Sequence, residues 1–192
     1  DLRGPVNDVR LMAETLVGRG VPVAGITVLS TDSSGLPAGV TTGRADRAAI
    51  LGALDAAAAA SAPGDTLVFY FSGHGAQAPD LSGDEGGGYD EILLPADAAG
   101  WKGSAQAVEN AILDDELQVW AQGVLDQGVK VIGLIDACHS ATGFRALGGQ
   151  GVARVVDERL LGIPEDAVSA TGIPVAPLSG DFVFLYSSQS DQ

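Results

Sequence analysis

The 192-residue chain has one cysteine, Cys138, and few basic side chains: 10 Lys and Arg against 25 Asp and Glu, a formal net charge of −15. A single cysteine excludes an internal disulfide and a zinc site built from cysteine pairs. The scarcity of cations argues against a nucleic-acid-binding surface, because such surfaces need clustered positive charge to neutralise phosphates. No apolar run approaches the roughly 20 residues of a membrane span, and no segment resembles a signal peptide. We therefore predict a cytoplasmic protein with no nucleic-acid partner and no membrane segment.

The composition of the chain is that of a globular protein. Hydrophobic residues make up 46% and charged residues 18%, which predicts one compact domain over residues 1–192. Apolar residues recur at helical spacing in three segments, and short apolar runs lie between these segments. This alternation predicts an α/β fold with a mainly parallel sheet covered by helices. The predicted helices are one beginning near Asn7, one capped by Thr41 or Thr42 and ending near Ala60, and one capped by Asp114 or Asp115; the predicted strands are 23–29, 66–71, 91–94, 129–135 and 182–186.

Two of the predicted strands end in small residues around a reactive side chain, His74 after one and Cys138 after the other. If the strands are neighbours, the imidazole can take the thiol proton and generate a nucleophilic thiolate. The backbone N–H of Gly75, beside the histidine, is available to bind an oxyanion. His139 is a rival base, but consecutive side chains in extended structure point in opposite directions, so we favour His74.

Simpler interpretations of these two residues stay open at this point. A lone cysteine after an apolar strand is also typical of a small buried hydrophobe, and a lone histidine usually has a structural role. The coincidence of Cys138 and His74 at equivalent strand ends favours catalysis, because chemistry in parallel sheets lies beyond the carboxyl ends of the strands.

The two strand ends resemble the catalytic motifs of a known family. Residues 70–75, YFSGHG, and 134–140, LIDACHS, are similar to the histidine and cysteine motifs of caspase-like cysteine peptidases. The branch that they resemble most is the metacaspases and their bacterial relatives. The similarity continues at 7–9, 84–85, 89–91, 114–116 and 190–192.

The resemblance implies a caspase-like three-layer αβα sandwich and a cysteine endopeptidase that cleaves after Arg, or after Lys. His74 would be the base, Cys138 the nucleophile, and the N–H groups of Gly75 and Cys138 the oxyanion site. On the matching positions, Asp8, Ser72 and Asp136 would line a pocket for the basic side chain, and carboxylates suit a guanidinium. Basic peptides or proteins are the expected substrates. The family usually has a cysteine where this chain has Pro5, which alters one wall of that pocket.

The resemblance also implies that the chain is shortened at both ends. The family's first strand should precede residue 1, and a helix and a strand should follow residue 192. The chain begins at Asp1 rather than at methionine, so an N-terminal signal could be missing from it.

Calcium is a cofactor that the family suggests and this sequence supports only in part. Many metacaspases hold calcium with four aspartates, and Asp90, Asp114 and Asp115 match three of them. The fourth position carries Arg145, and a cation there opposes metal binding. No cofactor is therefore expected to be required, while calcium binding stays open.

The Gly-rich segment 141–181 is predicted to be a flexible loop within the domain. It contains Arg145, Arg154 and Arg159, which would suit an arginine-accepting pocket and are candidate sites of self-cleavage. The alternative to an enzyme is a catalytically silent caspase-fold binding or scaffold module, possibly one that binds calcium.

Overall fold

The computed structural model describes residues 4–80, 89–103, 107–137, 158–164, 167 and 176–187. The helices are α1 (Gly4–Gly18), α2 (Arg47–Ala60), α3 (Asp114–Asp126) and α4 (Glu158–Leu161). The strands are β1 (Thr27–Leu29), β2 (Thr41–Gly43), β3 (Thr66–Ser72), β4 (His74–Pro79), β5 (Tyr89–Leu94), β6 (Trp101–Lys102), β7 (Ala107–Val108), β8 (Ile112–Leu113), β9 (Lys130–Asp136) and β10 (Phe182–Tyr186). None of the helices among these residues is long and apolar enough to span a bilayer.

A parallel sheet with the order β10-β9-β3 forms the centre of the fold. The predicted strands 66–71 and 129–135 are therefore direct neighbours, with Ser72 opposite Asp136 at their carboxyl ends. Their continuous apolar sequences fit this position, because strands of a parallel sheet have helices packed on both faces and carry few polar residues. β1 and β2 form a second parallel pair.

Helices pack on both faces of the central sheet, and Val68, Val183 and Leu185 stay exposed on one of them. On one face, residues of α2 and α3 such as Ile50, Leu54 and Leu117 pack with Phe69 and Ile135 of the sheet. On the other face, α1 packs against β3 and, through Ala13, against the β1 segment. Burial of these apolar side chains supplies the main driving force for the layered arrangement. The α/β fold and its mainly parallel central sheet are as the sequence predicts.

A second, antiparallel sheet was not anticipated from the sequence. After Ser72 the chain continues into another strand, β4, which begins at His74. β4 pairs with β5, and β5 pairs with β8. β6 and β7 form a further antiparallel pair. Alternating small apolar residues in β4, such as Ala76 and Ala78, are buried against Ile92 and Val108. Their small size and the neighbouring glycines give a weak strand pattern, which explains why the sequence missed β4.

Several predicted element boundaries were wrong. Thr41 and Thr42 do not cap a helix, because they lie in β2, and α2 begins after Asp46. α2 receives its cap from a distant residue, since the carboxylate of Asp97 accepts the Arg47 N–H at 2.8 Å. Residues 23–25 form a turn of 3₁₀ helix rather than part of the first strand. The N-cap of α3 is Leu113 rather than the predicted Asp114 or Asp115. The short helix α4 lies inside the segment 141–181 that was predicted to be a loop.

We expect Gly133→Ala to destabilise the domain because Gly133 lies between two aromatic neighbours in the sheet. Its register partners are Phe69 on β3 and Phe184 on β10, and a Cβ on residue 133 would overlap the Phe184 ring. Overpacking of this kind costs about 1–3 kcal/mol. Urea unfolding should show a lower midpoint for the variant. Gly52→Ala in α2, where a Cβ meets open space, is the control and should raise the midpoint slightly; equal midpoints for the two variants would contradict the packing argument.

Candidate active site

The histidine of the candidate site lies where the central sheet meets the antiparallel sheet. β3 ends at Ser72, and the Gly73 N–H donates to the carbonyl of Asp136 at 3.2 Å, which holds the end of β3 against the end of β9. His74 follows directly, half-buried and opposite Leu94 in the β4–β5 ladder. The imidazole is thus carried by backbone that is bonded to β9 through Gly73 and paired with β5 at His74, which limits its movement.

The cysteine of the candidate pair is two residues beyond the end of β9. Cys138 itself, with His139, lies outside the described residues. The last described residue before it, Ala137, is 1% exposed and packs in the core. The strand that leads to the cysteine and the strand that leads to His74 are nevertheless adjacent and parallel, which is the condition on which the proposed pairing depends.

Gly75, the predicted oxyanion donor, is buried in β4 and lies opposite Leu93. A glycine leaves the backbone open to a close approach by a ligand, because no Cβ covers the amide. Its role and that of the Cys138 N–H remain predictions.

The three predicted pocket residues lie together. Ser72 and Asp136 are register partners at the ends of β3 and β9, and Ser72 Oγ donates a hydrogen bond of 2.8 Å to Asp8 Oδ2 on α1. Register partners on neighbouring strands point to the same face of a sheet, so all three side chains lie on the face that α1 covers. Pro5 lies in the first turn of the same helix, where proline is well tolerated.

Ser187 is a residue of this region that the sequence analysis missed. It follows β10 directly, and its hydroxyl donates a hydrogen bond of 2.5 Å to Asp136 Oδ1. The available signal was its place at the carboxyl end of a strand, as for His74 and Cys138, but the sequence does not say that β10 lies beside β9.

The acidic residues proposed for calcium lie near the same end of the sheet. Asp90 and Glu91 on β5 are buried, with 1% and 8% of their surfaces exposed. Burial, with Glu91, Asp115 and Asp90 nearby, raises the pKa of Asp114 to about 8. Burial and the charges of Glu91 and Asp114 likewise raise the pKa of Tyr186 to about 12. The fold thus places Asp114 close to three other acidic side chains, whose charges disfavour its ionised form.

Among the described residues, no group of three acidic, imidazole or thiol side chains is placed to hold a metal ion. The match of Asp90, Asp114 and Asp115 to a ligand set therefore stays a prediction, and the fourth position, Arg145, lies outside the described residues.

The raised pKa of Asp114 predicts a pH-dependent stability. Between about pH 4, the ordinary pKa of an aspartate, and about pH 8, Asp114 is protonated in the folded state and ionised in the unfolded state. Unfolding therefore releases a proton, and the free energy of unfolding falls as pH rises through this window. Asp114→Asn removes that penalty, so we expect it to match the unmodified chain at pH 4 and exceed its stability by a few kcal/mol at pH 8. Urea unfolding at both pH values measures the difference. Asp126→Asn, at the exposed end of α3, is the control; an equal gain there would refute a local cause.

Two of the three candidate self-cleavage sites lie outside the residues that the structure describes. Arg145 and Arg154 lie outside the described residues, and Arg159 belongs to the short helix α4. The predicted loop 141–181 is described only at 158–164, 167 and 176–181. Near the end of this segment, the Ser179 N–H donates a hydrogen bond of 2.9 Å to the Gln122 side chain of α3, which attaches the segment to the rest of the structure.

The fold and the adjoining strand ends are those of a caspase-like domain. The family model described as "Metacaspase, peptidase C14 domain" matches residues 1–146. Metacaspase-1 of Pyricularia oryzae is 34% identical over 142 residues, 74% of this chain and 33% of that protein, and Metacaspase-1A of Aspergillus oryzae is 38% identical over 142 residues, 73% of this chain and 31% of that protein. A solved structure of a protein from Geobacter sulfurreducens is 31% identical in sequence, and the match covers 70% of this chain and 41% of that one, with a TM-score of 0.46.

The chain belongs to the metacaspase family of cysteine peptidases, on the evidence of the family model and the curated relatives. It spans about a third of the length of those relatives.

Proposed function

We propose that this chain is the catalytic domain of a cysteine endopeptidase that cleaves peptide bonds after Arg and, less well, after Lys. The observation that carries the proposal is the group formed by Asp8, Ser72 and Asp136 at the ends of β3 and β9, the strands that lead to His74 and Cys138. Two carboxylates on one face of the sheet offer charge-assisted hydrogen bonds to a guanidinium. The net charge of −15 favours encounter with basic peptides.

The reaction follows from the roles of the two catalytic residues. His74 takes the proton of the Cys138 thiol, and the thiolate attacks the carbonyl carbon of the basic residue itself. The N–H groups of Gly75 and Cys138 stabilise the oxyanion. As the C–N bond breaks, His74 donates its proton to the leaving amine, and a thioester remains. Water, deprotonated by His74, then hydrolyses the thioester and releases the acid and the thiol.

Two further features belong to the proposal. No cofactor is required, since the chemistry uses only side-chain and backbone groups, and activity in chelator should equal activity with added calcium. Self-cleavage after Arg145, Arg154 or Arg159 follows from the same specificity. Intact mass after incubation should show fragments that end at one of these arginines, and a single uncleaved species from an active enzyme would contradict this part.

Hydrolysis of fluorogenic peptides ending in Arg, Lys or Asp tests the proposal. We expect cleavage after Arg, weaker cleavage after Lys and none after Asp, with Cys138→Ala inactive. Cleavage after Asp, or activity that survives in Cys138→Ala, would overturn it. A folded but inactive chain would favour the silent binding module instead.

A further inference from the structure

A row of polar side chains crosses the central sheet at the carboxyl ends of its three strands. The β3–β9 register places Ser72 opposite Asp136, and the β9–β10 register runs to Ile135 and Tyr186. Ser187 is next in that register, and its N–H donates to the Ile135 carbonyl at 3.0 Å, which extends the ladder by one step. Ser72, Asp136 and Ser187 therefore lie side by side on the same face of the sheet.

Each carboxylate of the proposed pocket accepts a hydrogen bond from a serine of this row. Ser72 donates to Asp8 Oδ2 at 2.8 Å, and Ser187 donates to Asp136 Oδ1 at 2.5 Å. A hydroxyl has a single proton to donate, and hydrogen bonds to carboxylates are among the stronger hydrogen bonds in proteins. A carboxylate held through one oxygen cannot turn freely about its χ2 torsion, so the plane of the group is restricted.

We propose that Ser187 is a positioning residue for substrate specificity: its hydroxyl fixes the plane of the Asp136 carboxylate so that a guanidinium can bind to it edge-on. The inference rests on the proposed cleavage after basic residues. A guanidinium is planar and needs a coplanar carboxylate for two parallel hydrogen bonds, whereas an ammonium group has no such requirement. Ser187 thereby contributes more to the recognition of Arg than to that of Lys, and it takes no part in the bond-breaking steps.

The test compares Ser187→Ala with Ser187→Thr, which keeps the hydroxyl. Ser61→Ala is the matched control, because Ser61 Oγ also makes one hydrogen bond, to the Ala57 carbonyl, before the amino end of β3. We expect Ser187→Ala to raise KM for Arg peptides on the order of tenfold while kcat changes little. KM for Lys peptides should change less than about twofold, so the preference for Arg falls. Ser187→Thr and Ser61→Ala should keep the parent KM values.

A binding measurement separates this inference from the proposed function. In the Cys138→Ala background, calorimetric titration with Nα-acetyl-arginine amide and Nα-acetyl-lysine amide reports on the pocket without turnover. Weaker binding of the arginine amide alone in the Ser187→Ala variant supports the inference, even if the unmodified chain cleaves no peptide and the proposed function fails. Unchanged binding, an equal loss for both ligands or a fall in kcat alone overturns it. If the chain cleaves Arg peptides but does not bind the arginine amide at all, the inference is overturned and the proposed function stands.

Discussion

Replacing His74 by alanine is expected to lower kcat for Arg peptides by about 10³-fold or more. The imidazole serves twice, as the base that generates the Cys138 thiolate and as the acid that protonates the leaving amine, so its loss affects both bond-forming and bond-breaking steps. KM should change little, because the pocket residues Asp8 and Asp136 do not depend on the imidazole. Steady-state kinetics with an Arg fluorogenic peptide, together with circular dichroism to verify folding, measure the effect.

His139→Ala is the matched control, since the chain has only two histidines. It removes an imidazole next to the nucleophile in sequence. Consecutive side chains in extended structure point in opposite directions, which is why the sequence favours His74 over His139 as the base. We expect His139→Ala to keep most of the parent activity. If His139→Ala is inactive and His74→Ala retains activity, the assignment of the base is reversed.

Asp136→Asn is expected to lower kcat/KM for Arg peptides by about 10²-fold, because it removes one of the two carboxylates that would face the substrate cation in a half-buried site. The substitution nearly preserves shape, and the asparagine oxygen can still accept the Ser187 hydroxyl proton that Asp136 Oδ1 now accepts. The loss therefore reports the charge rather than the packing. It should appear mainly in KM, and it should be similar for Arg and Lys peptides, unlike the loss in Ser187→Ala.

Asp181→Asn removes one carboxylate from the opposite end of the same sheet and is the control for net charge. Asp181 precedes β10 and forms an exposed ion pair with Lys130 at 2.7 Å, and such exposed pairs contribute little to stability. We expect kinetics close to those of the parent chain. A similar loss in Asp181→Asn and Asp136→Asn would mean that overall charge, and not the pocket, determines the preference for basic residues.

The parts of the fold that the sequence predicted well are those with long apolar patterns. The strands at 66–71, 129–135 and 182–186 were found within one residue of their bounds, because a buried parallel strand is continuously apolar and ends abruptly at polar or small residues. α3 was found for a similar reason, since Leu117, Ala121 and Val124 recur on one face. The caspase-like family followed from the motifs at the ends of two of these strands, and the family model confirmed it.

The parts that the sequence did not predict depend on contacts between distant residues. The start of α2 was misplaced because its cap comes from Asp97, about fifty positions away in the chain, and because Thr41 and Thr42 pair with β1 instead. Arg47 at that helix start also donates hydrogen bonds from its two terminal guanidinium nitrogens, Nη1 and Nη2, to the carboxylate of Glu116 on α3. No local sequence pattern indicates this contact. β4 was missed because small residues give little strand signal until they are buried against another sheet.

The sequence by itself determined which chemistry this protein carries: one thiol, a histidine flanked by glycines, and the strands that end at each of them, all of which are local properties of short segments. Only the tertiary structure decided that β3 and β9 are neighbours in register, that Ser187 reaches Asp136, and that Asp114 lies among other buried carboxylates. Strand order and burial depend on how the whole chain packs its apolar surface, so a pocket made from three strand ends and a helix exists only once the sheet has formed.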